Sequence, residues 1–168
     1  MEQDPLSART YTNLGIAFYA AEQFSKAESL YRKALDLWPD RVGTHAALSL
    51  TLLAEGRGGE ALEVAMQEPD EAFRLWPLAI IYHALERRSD SDEALRELIE
   101  KYADDSAYQI AEVVAARGQV DTAFEWLERA YVQRDPGLLT ETKASPHFRS
   151  LQSDPRWAVF LAKIGLAE

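Results

Sequence analysis

Tyr11-Thr12-Asn13-Leu14-Gly15-Ile16-Ala17-Phe18, continued through Ala27, Tyr31, Ala34 and Pro39, is the stretch that decides the fold. Tyr11, Leu14 and Phe18 recur at helical spacing as one apolar stripe, and Leu30, Tyr31, Ala34 and Leu37 make a second. Gly15 and Ala27 sit at the centres of the two predicted helices, where a longer side chain would push the crossing backbones apart. Ser25 and Glu28 have capping-box spacing and are expected to open the second helix. Pro39 stops it by disfavouring a helical Trp38. The stretch reads as two antiparallel amphipathic helices.

The same hairpin recurs downstream. Ser49 follows Gly15 by 34 residues and Ala61 follows Ala27 by 34, with Gly56, Gly58 and Gly59 expected in the turn. Glu68-Pro69-Asp70 cuts that second helix short. In the third copy Leu75, Leu78, Ala79 and Tyr82 match the first-helix pattern. Ala94 is read as the small residue of its second helix, which puts about three extra residues in a turn through Arg88, Ser89 and Asp90. Pro77 inside the apolar run predicts a kink or a helix start, because an interior proline costs roughly 3 kcal/mol. The fourth copy carries Tyr108, Ile110, Ala111 and Val114, then Gly118, Ala123, Trp126, Leu127 and Ala130.

At the front, Asp4-Pro5 reads as an N-cap followed by a first-position proline, after a disordered Met1 to Gln3. At the back, residues 138–168 break the period. Pro146 to Leu151 and Pro155 to Ile164 read as short helices, the latter capped by Asp154 and ended by Gly165. Their apolar set, Phe148, Leu151, Trp157, Phe160, Leu161 and Ile164, suits a lid on the last repeat's uncovered face.

Aromatic-x2-Leu-Gly-x2-aromatic, then Ala-x3-Tyr, then Pro, resembles the tetratricopeptide repeat (TPR). The resemblance implies an all-α, right-handed superhelical solenoid of about four hairpins (residues 8–41, 42–70, 71–103 and 104–137 of an array spanning 4–137), closed by a cap at 138–168. Arg134-Asp135-Pro136-Gly137-Leu138, with Phe148, Leu151 and Asp154-Pro155-Arg156-Trp157, is similar to the end-piece of TPR arrays in some bacterial regulators. That second resemblance implies a domain of a longer chain, behind a cyclase-like, kinase or winged-helix effector.

Composition narrows the function. The net charge is −10 over 168 residues, which argues against a nucleic-acid surface and against adsorption to anionic membranes. The tail carries Glu141, Asp154 and Glu168 against Lys143, Arg149, Arg156 and Lys163, a net of +1, so residues 1–137 carry −11. With no cysteine there is no thiolate chemistry, which fits a reducing cytoplasm. His45, His83 and His147 lack metal-ligand spacing, and Gly56-Arg57-Gly58-Gly59 lacks the Lys-Ser/Thr of a phosphate loop. No catalytic constellation emerges and no cofactor is expected.

The TPR resemblance implies a concave groove lined by the first helix of each hairpin, holding a peptide or helix of a partner protein. The groove candidates are Arg9, Thr12, Asn13, Ile16 and Tyr19, then Ala46, Ala47, Leu50 and Leu53. The third helix adds Phe73, Trp76, Ile80 and His83, and the fourth Tyr108, Gln109 and Glu112. Tyr19, Trp76 and Tyr108 are the expected anchors, combining apolar area with a polar handle. Trp76, beside Pro77, equally suits packing under a neighbouring hairpin, and His83 suits a partly buried structural role. Positions that clamp a chaperone's acidic C-terminus in some TPR adaptors correspond here to Thr12, Ile16, Ala47, Phe73 and Pro77, none of which fits, and an acidic groove is expected to repel such a ligand. The alternative function is a regulatory or oligomerisation domain, with a homodimer as its simplest form.

Overall fold

The computed structural model describes residues 5–140, 142–143 and 145–167; the predicted Asp4 cap and the disordered Met1 to Gln3 lie outside them. Helices α1 (Pro5–Ala20), α2 (Phe24–Leu37), α3 (Thr44–Ala54), α4 (Gly58–Ala65), α5 (Glu71–Ala84), α6 (Arg88–Tyr102), α7 (Ala107–Ala116) and α8 (Val120–Gln133) follow in order. A short α9 (Gly137–Thr140), a 3-10 helix (Pro146–Leu151) and α10 (Pro155–Lys163) complete the chain, with no strand among the described residues. The fold is all-α, built of TPR-like hairpins. It divides into two compact units, residues 1–94 and 95–168, with the boundary inside α6.

In the first unit each hairpin closes on a small residue. A Cβ on Gly15 would lie 2.6 Å from Cε1 of Tyr31, so the glycine is what lets α2 lie against α1. Ala27, Tyr31 and Ala34 line the buried face of α2, one helical turn apart. The joints are alike throughout the chain: three residues separate the paired helices, and the middle one is left-handed. Those residues are Glu22 (φ 57°), Gly56 (80°), Glu86 (59°) and Gly118 (75°).

That joint corrects three expectations. The third turn is not lengthened, since α5 ends at Ala84 and α6 starts at Arg88. The extra residues join α6, and the small residue facing Ala79 is Ser91, fully buried, its hydroxyl donating to the Ala79 carbonyl at 2.7 Å. Ala79 to Ser91 is 12 residues, the Gly15 to Ala27 spacing; Ala94 lies one turn further on. Gly58 and Gly59 belong to α4, leaving Gly56 alone as the turn glycine. No capping box opens α2: the left-handed Glu22 starts the helix at Phe24, so Ser25 already lies in the first turn, where its hydroxyl donates to Glu55. Separately, α5 starts at Glu71 rather than at Pro77 and runs through the proline; Asp70 caps it, accepting from the Phe73 N–H at 3.0 Å.

Between hairpins, charge and capping add to the packing. Arg57 bonds Glu28, Glu55 and Glu60 at 2.8, 2.9 and 2.6 Å, and Arg32 reaches Glu28 and Glu60 at 2.8 Å, tying α2 to α4. Partial burial raises the Glu28 carboxyl, but the bonds from Arg57 and Arg32 more than offset it and hold it below the usual carboxylate range. The carboxylate of Glu68, 1% exposed, accepts from the N–H groups of Gly43 at 3.0 Å, Ala46 at 3.3 Å and Asp70 at 3.4 Å. It caps the start of α3 from beyond the end of α4.

In the second unit the C-terminal segment covers α7 and α8. Phe148, Leu151, Trp157, Phe160 and Ile164 are buried, each stabilising by roughly 1.5–3 kcal/mol, while Leu161 is half-buried. Helix α10 is fastened to α8 twice. Arg156 pairs with Asp121 and lies over Phe124, and seven residues later Lys163 pairs with Glu128 and lies over Tyr131. Asp154 caps α10, and its bonds from Arg156 hold its carboxyl down to about 2.

Candidate functional site

The first helices of the first unit, α1, α3 and α5, stand side by side in order. The face they share is not acidic, contrary to the expectation drawn from the net charge: α1 and α3 contain no carboxylate and α5 contains only Glu71. The negative charge lies elsewhere, in the second helices and the connecting loops.

The candidates in this unit separate into accessible and buried sets. Arg9 and Asn13 are exposed, and Ile16, Tyr19, Leu53, Phe73 and His83 are half-buried. Thr12, Leu50, Trp76 and Ile80 are 6%, 3%, 9% and 4% exposed, so they support the face from below.

Thr12 is a junction. Its hydroxyl donates to the Ala8 carbonyl at 3.0 Å, lies 3.3 Å from the Thr44 hydroxyl and accepts from Nε of Arg41 at 3.1 Å. Its helical position points it at α3, so a threonine there joins two helices rather than meeting a ligand. Tyr19 packs on Phe24, ring centroids 5.7 Å apart, across the first joint. Phe73 meets Trp76 edge to face at 6.2 Å, and its ring lies 3.4 Å from where a Cβ on Gly43 would stand. The indole Nε1 of Trp76 is buried with no acceptor among the described residues. Trp76 thus lies beneath Phe73, and Phe73 presents the aromatic surface.

In the second unit, the cap seats on the predicted groove residues. Tyr108 is 1% exposed and meets Phe148 edge to face at 5.6 Å; its N–H donates to Asp135 at 3.3 Å. Burial raises the Asp135 carboxyl, and the N–H groups of Gly137 and Tyr108 oppose that rise. Glu112, 2% exposed, accepts from the Ser145 hydroxyl at 2.6 Å. Ser150 donates to the Ala115 carbonyl at 3.2 Å. Gln109 alone of the three is half-buried. The first helix of the last hairpin thus spends Tyr108 and Glu112 on holding the C-terminal segment.

Sequence reasoning missed Glu68, Ser91 and Ser145 as fixing residues. The 12-residue spacing from Ala79 could have found Ser91. Nothing local marks the long-range bonds of Glu68 or Ser145, which reach Ala46 and Glu112, 22 and 33 residues away. Among the described residues no cluster of His, Asp and Glu has metal-binding geometry, and no helix is long and apolar enough to cross a membrane.

Residues 8–41 match the family model of the tetratricopeptide repeat. No curated protein matches the chain. Among solved structures it is similar to YrrB, described as a TPR protein with an unusual peptide-binding site, at 18% identity and a TM-score of 0.48. That alignment covers 94% of this chain and 78% of the other.

Proposed function

We propose that the chain is a non-catalytic interaction module that holds a peptide or helix of a partner protein against the first-helix face of residues 1–94. The observation that carries this reading is the composition of that face. Arg9 and Asn13 offer hydrogen-bonding groups, Ile16, Tyr19, Leu53 and Phe73 offer apolar area, and Glu71 is the single carboxylate on the three helices. A preformed face of this kind lowers the ordering cost of association, and its aromatic side chains supply area at low entropic cost.

The experiment is selection of a displayed random-peptide library on the purified chain, followed by affinity measurement with Tyr19→Ala/Phe73→Ala. Peptides held by this face lose at least about tenfold in affinity, equivalent to about 1.4 kcal/mol. Peptides that bind the variant and the parent equally would refute the site. A second reading, a regulatory domain of a larger bacterial signalling protein, rests on the resemblance of Arg134 to Leu138 and Asp154 to Trp157 to an array end-piece.

A further inference from the structure

The residue before the small helix-centre residue is Leu14, Leu48, Leu78 and Ile110 in the four hairpins. Leu48, Leu78 and Ile110 are 2%, 8% and 0% exposed, but Leu14 is 45% exposed. The reason is visible in the first unit. The preceding second helix lies on each later first helix, α2 on α3 and α4 on α5. Leu14 is two residues past Thr12, about 200° around the helix, so it faces away from α3. Half-buried Phe18 lies one turn further along the same side. Lys26 of α2 stands over the Phe18 ring at 5.2 Å, and Leu30 and Lys33 follow it on that face at helical spacing.

Charge distinguishes this flank. Neither Lys26 nor Lys33 pairs with a carboxylate among the described residues; Lys26 donates to the neutral Gln23 side chain at 2.7 Å. Residues 5–37 carry Arg9, Lys26, Arg32 and Lys33 against Glu22, Glu28 and Asp36, a net of +1 in a chain of −10. Glu28 is already engaged by Arg32 and Arg57.

We infer that the outer flank of the α1–α2 hairpin, centred on Leu14 and Phe18 and rimmed by Lys26 and Lys33, docks an amphipathic helix with acidic residues bordering its apolar stripe. The occupant takes on α1 the place that α2 takes on α3. Its apolar stripe covers Leu14 and its carboxylates meet the two lysines. A second copy of this chain is the competing occupant, and sedimentation distinguishes it below. The flank is a different surface from the first-helix face proposed above, so either can fail without the other.

The test uses fluorescently labelled helical peptides that share one apolar stripe and differ in rim, glutamate against lysine, titrated into the whole chain by anisotropy. The glutamate-rimmed peptide binds and the lysine-rimmed one does not. Lys26→Glu/Lys33→Glu, two surface changes, weakens the first by about tenfold and admits the second, as loss of two partly screened pairs predicts. Leu14→Glu abolishes binding, with the helical circular dichroism retained, while Tyr19→Ala/Phe73→Ala leaves it unchanged. Binding of neither peptide, equal binding of both, or binding indifferent to Leu14→Glu would overturn the inference. So would concentration-dependent dimerisation in sedimentation that Leu14→Glu removes, which assigns the flank to a second copy.

Discussion

The Ser145 hydroxyl donates to a carboxylate oxygen of Glu112 at 2.6 Å, and both residues are more than nine-tenths buried. The bond joins α7 to the segment leading into the 3-10 helix, 33 residues on. Removing the donor takes a hydrogen bond from a buried carboxyl oxygen, which costs more than the bond itself contributes. Ser145→Ala is therefore expected to lower unfolding stability by about 1–3 kcal/mol, measured by urea denaturation. A change within about 0.5 kcal/mol, the range of ordinary surface substitutions, would mean that the bond does not hold the cap.

Gly15 and Gly59 give opposite outcomes for one substitution. A Cβ on Gly15 meets the buried Tyr31 ring at 2.6 Å, whereas one on Gly59 meets nothing within 4 Å. Gly15→Ala is expected to destabilise by about 1–3 kcal/mol through overpacking, net of its gain in helix propensity. Gly59→Ala is expected to stabilise by up to about 1 kcal/mol, since only the propensity changes. Thermal melts of the two variants decide the matter, and a stabilised Gly15→Ala would contradict the tight crossing.

Two of the four hairpin joints put glutamate where glycine is the unstrained choice, Glu22 at φ 57° and Glu86 at φ 59°. Left-handed backbone costs a residue with a Cβ roughly 1 kcal/mol. Glu22→Gly and Glu86→Gly should each raise stability by up to about 1 kcal/mol, less the extra chain entropy of glycine. Gly56→Ala and Gly118→Ala should lower it by a similar amount. Calorimetric melting temperatures of the four variants would show the two pairs moving in opposite directions.

Burial pushes the His147 imidazole down from 6.5 to about 4. Between those values the unfolded chain binds a proton that the folded chain refuses, so stability falls as pH drops from neutral through 6.5 and levels off near 4. The full loss is at most about 3 kcal/mol, and solvent near this half-buried ring reduces it. His147→Gln should flatten that part of the stability–pH curve in denaturant titrations at pH 7, 6, 5 and 4. An unchanged slope would place the pH dependence on other groups.

What could be read from the sequence divides along one physical line. Gly15, Ala27 and the aromatic at Tyr31 act within a single hairpin, and their spacing carries the fold directly. The third hairpin hides its register because serine fills the small-residue place at Ser91 while an alanine stands one turn later. The capping box failed because Ser25 and Glu28 answer to Glu55 and Arg57 of the next hairpin, not to their own helix end. The candidate face was legible as helix positions, but burial was not. Whether Thr12 or Tyr108 meets a ligand depends on Thr44 and Phe148, which the local pattern does not contain.

The reach of Glu68 has a consequence for how the first unit opens. The amides of Gly43 and Ala46 are closed by a side chain 25 and 22 residues downstream, not by their own helix. Fraying the α4–α5 segment uncovers the start of α3 at the same moment. These amides should then exchange with solvent deuterium at the rate of that downstream opening, making α3 to the start of α5 one cooperative unit of local unfolding.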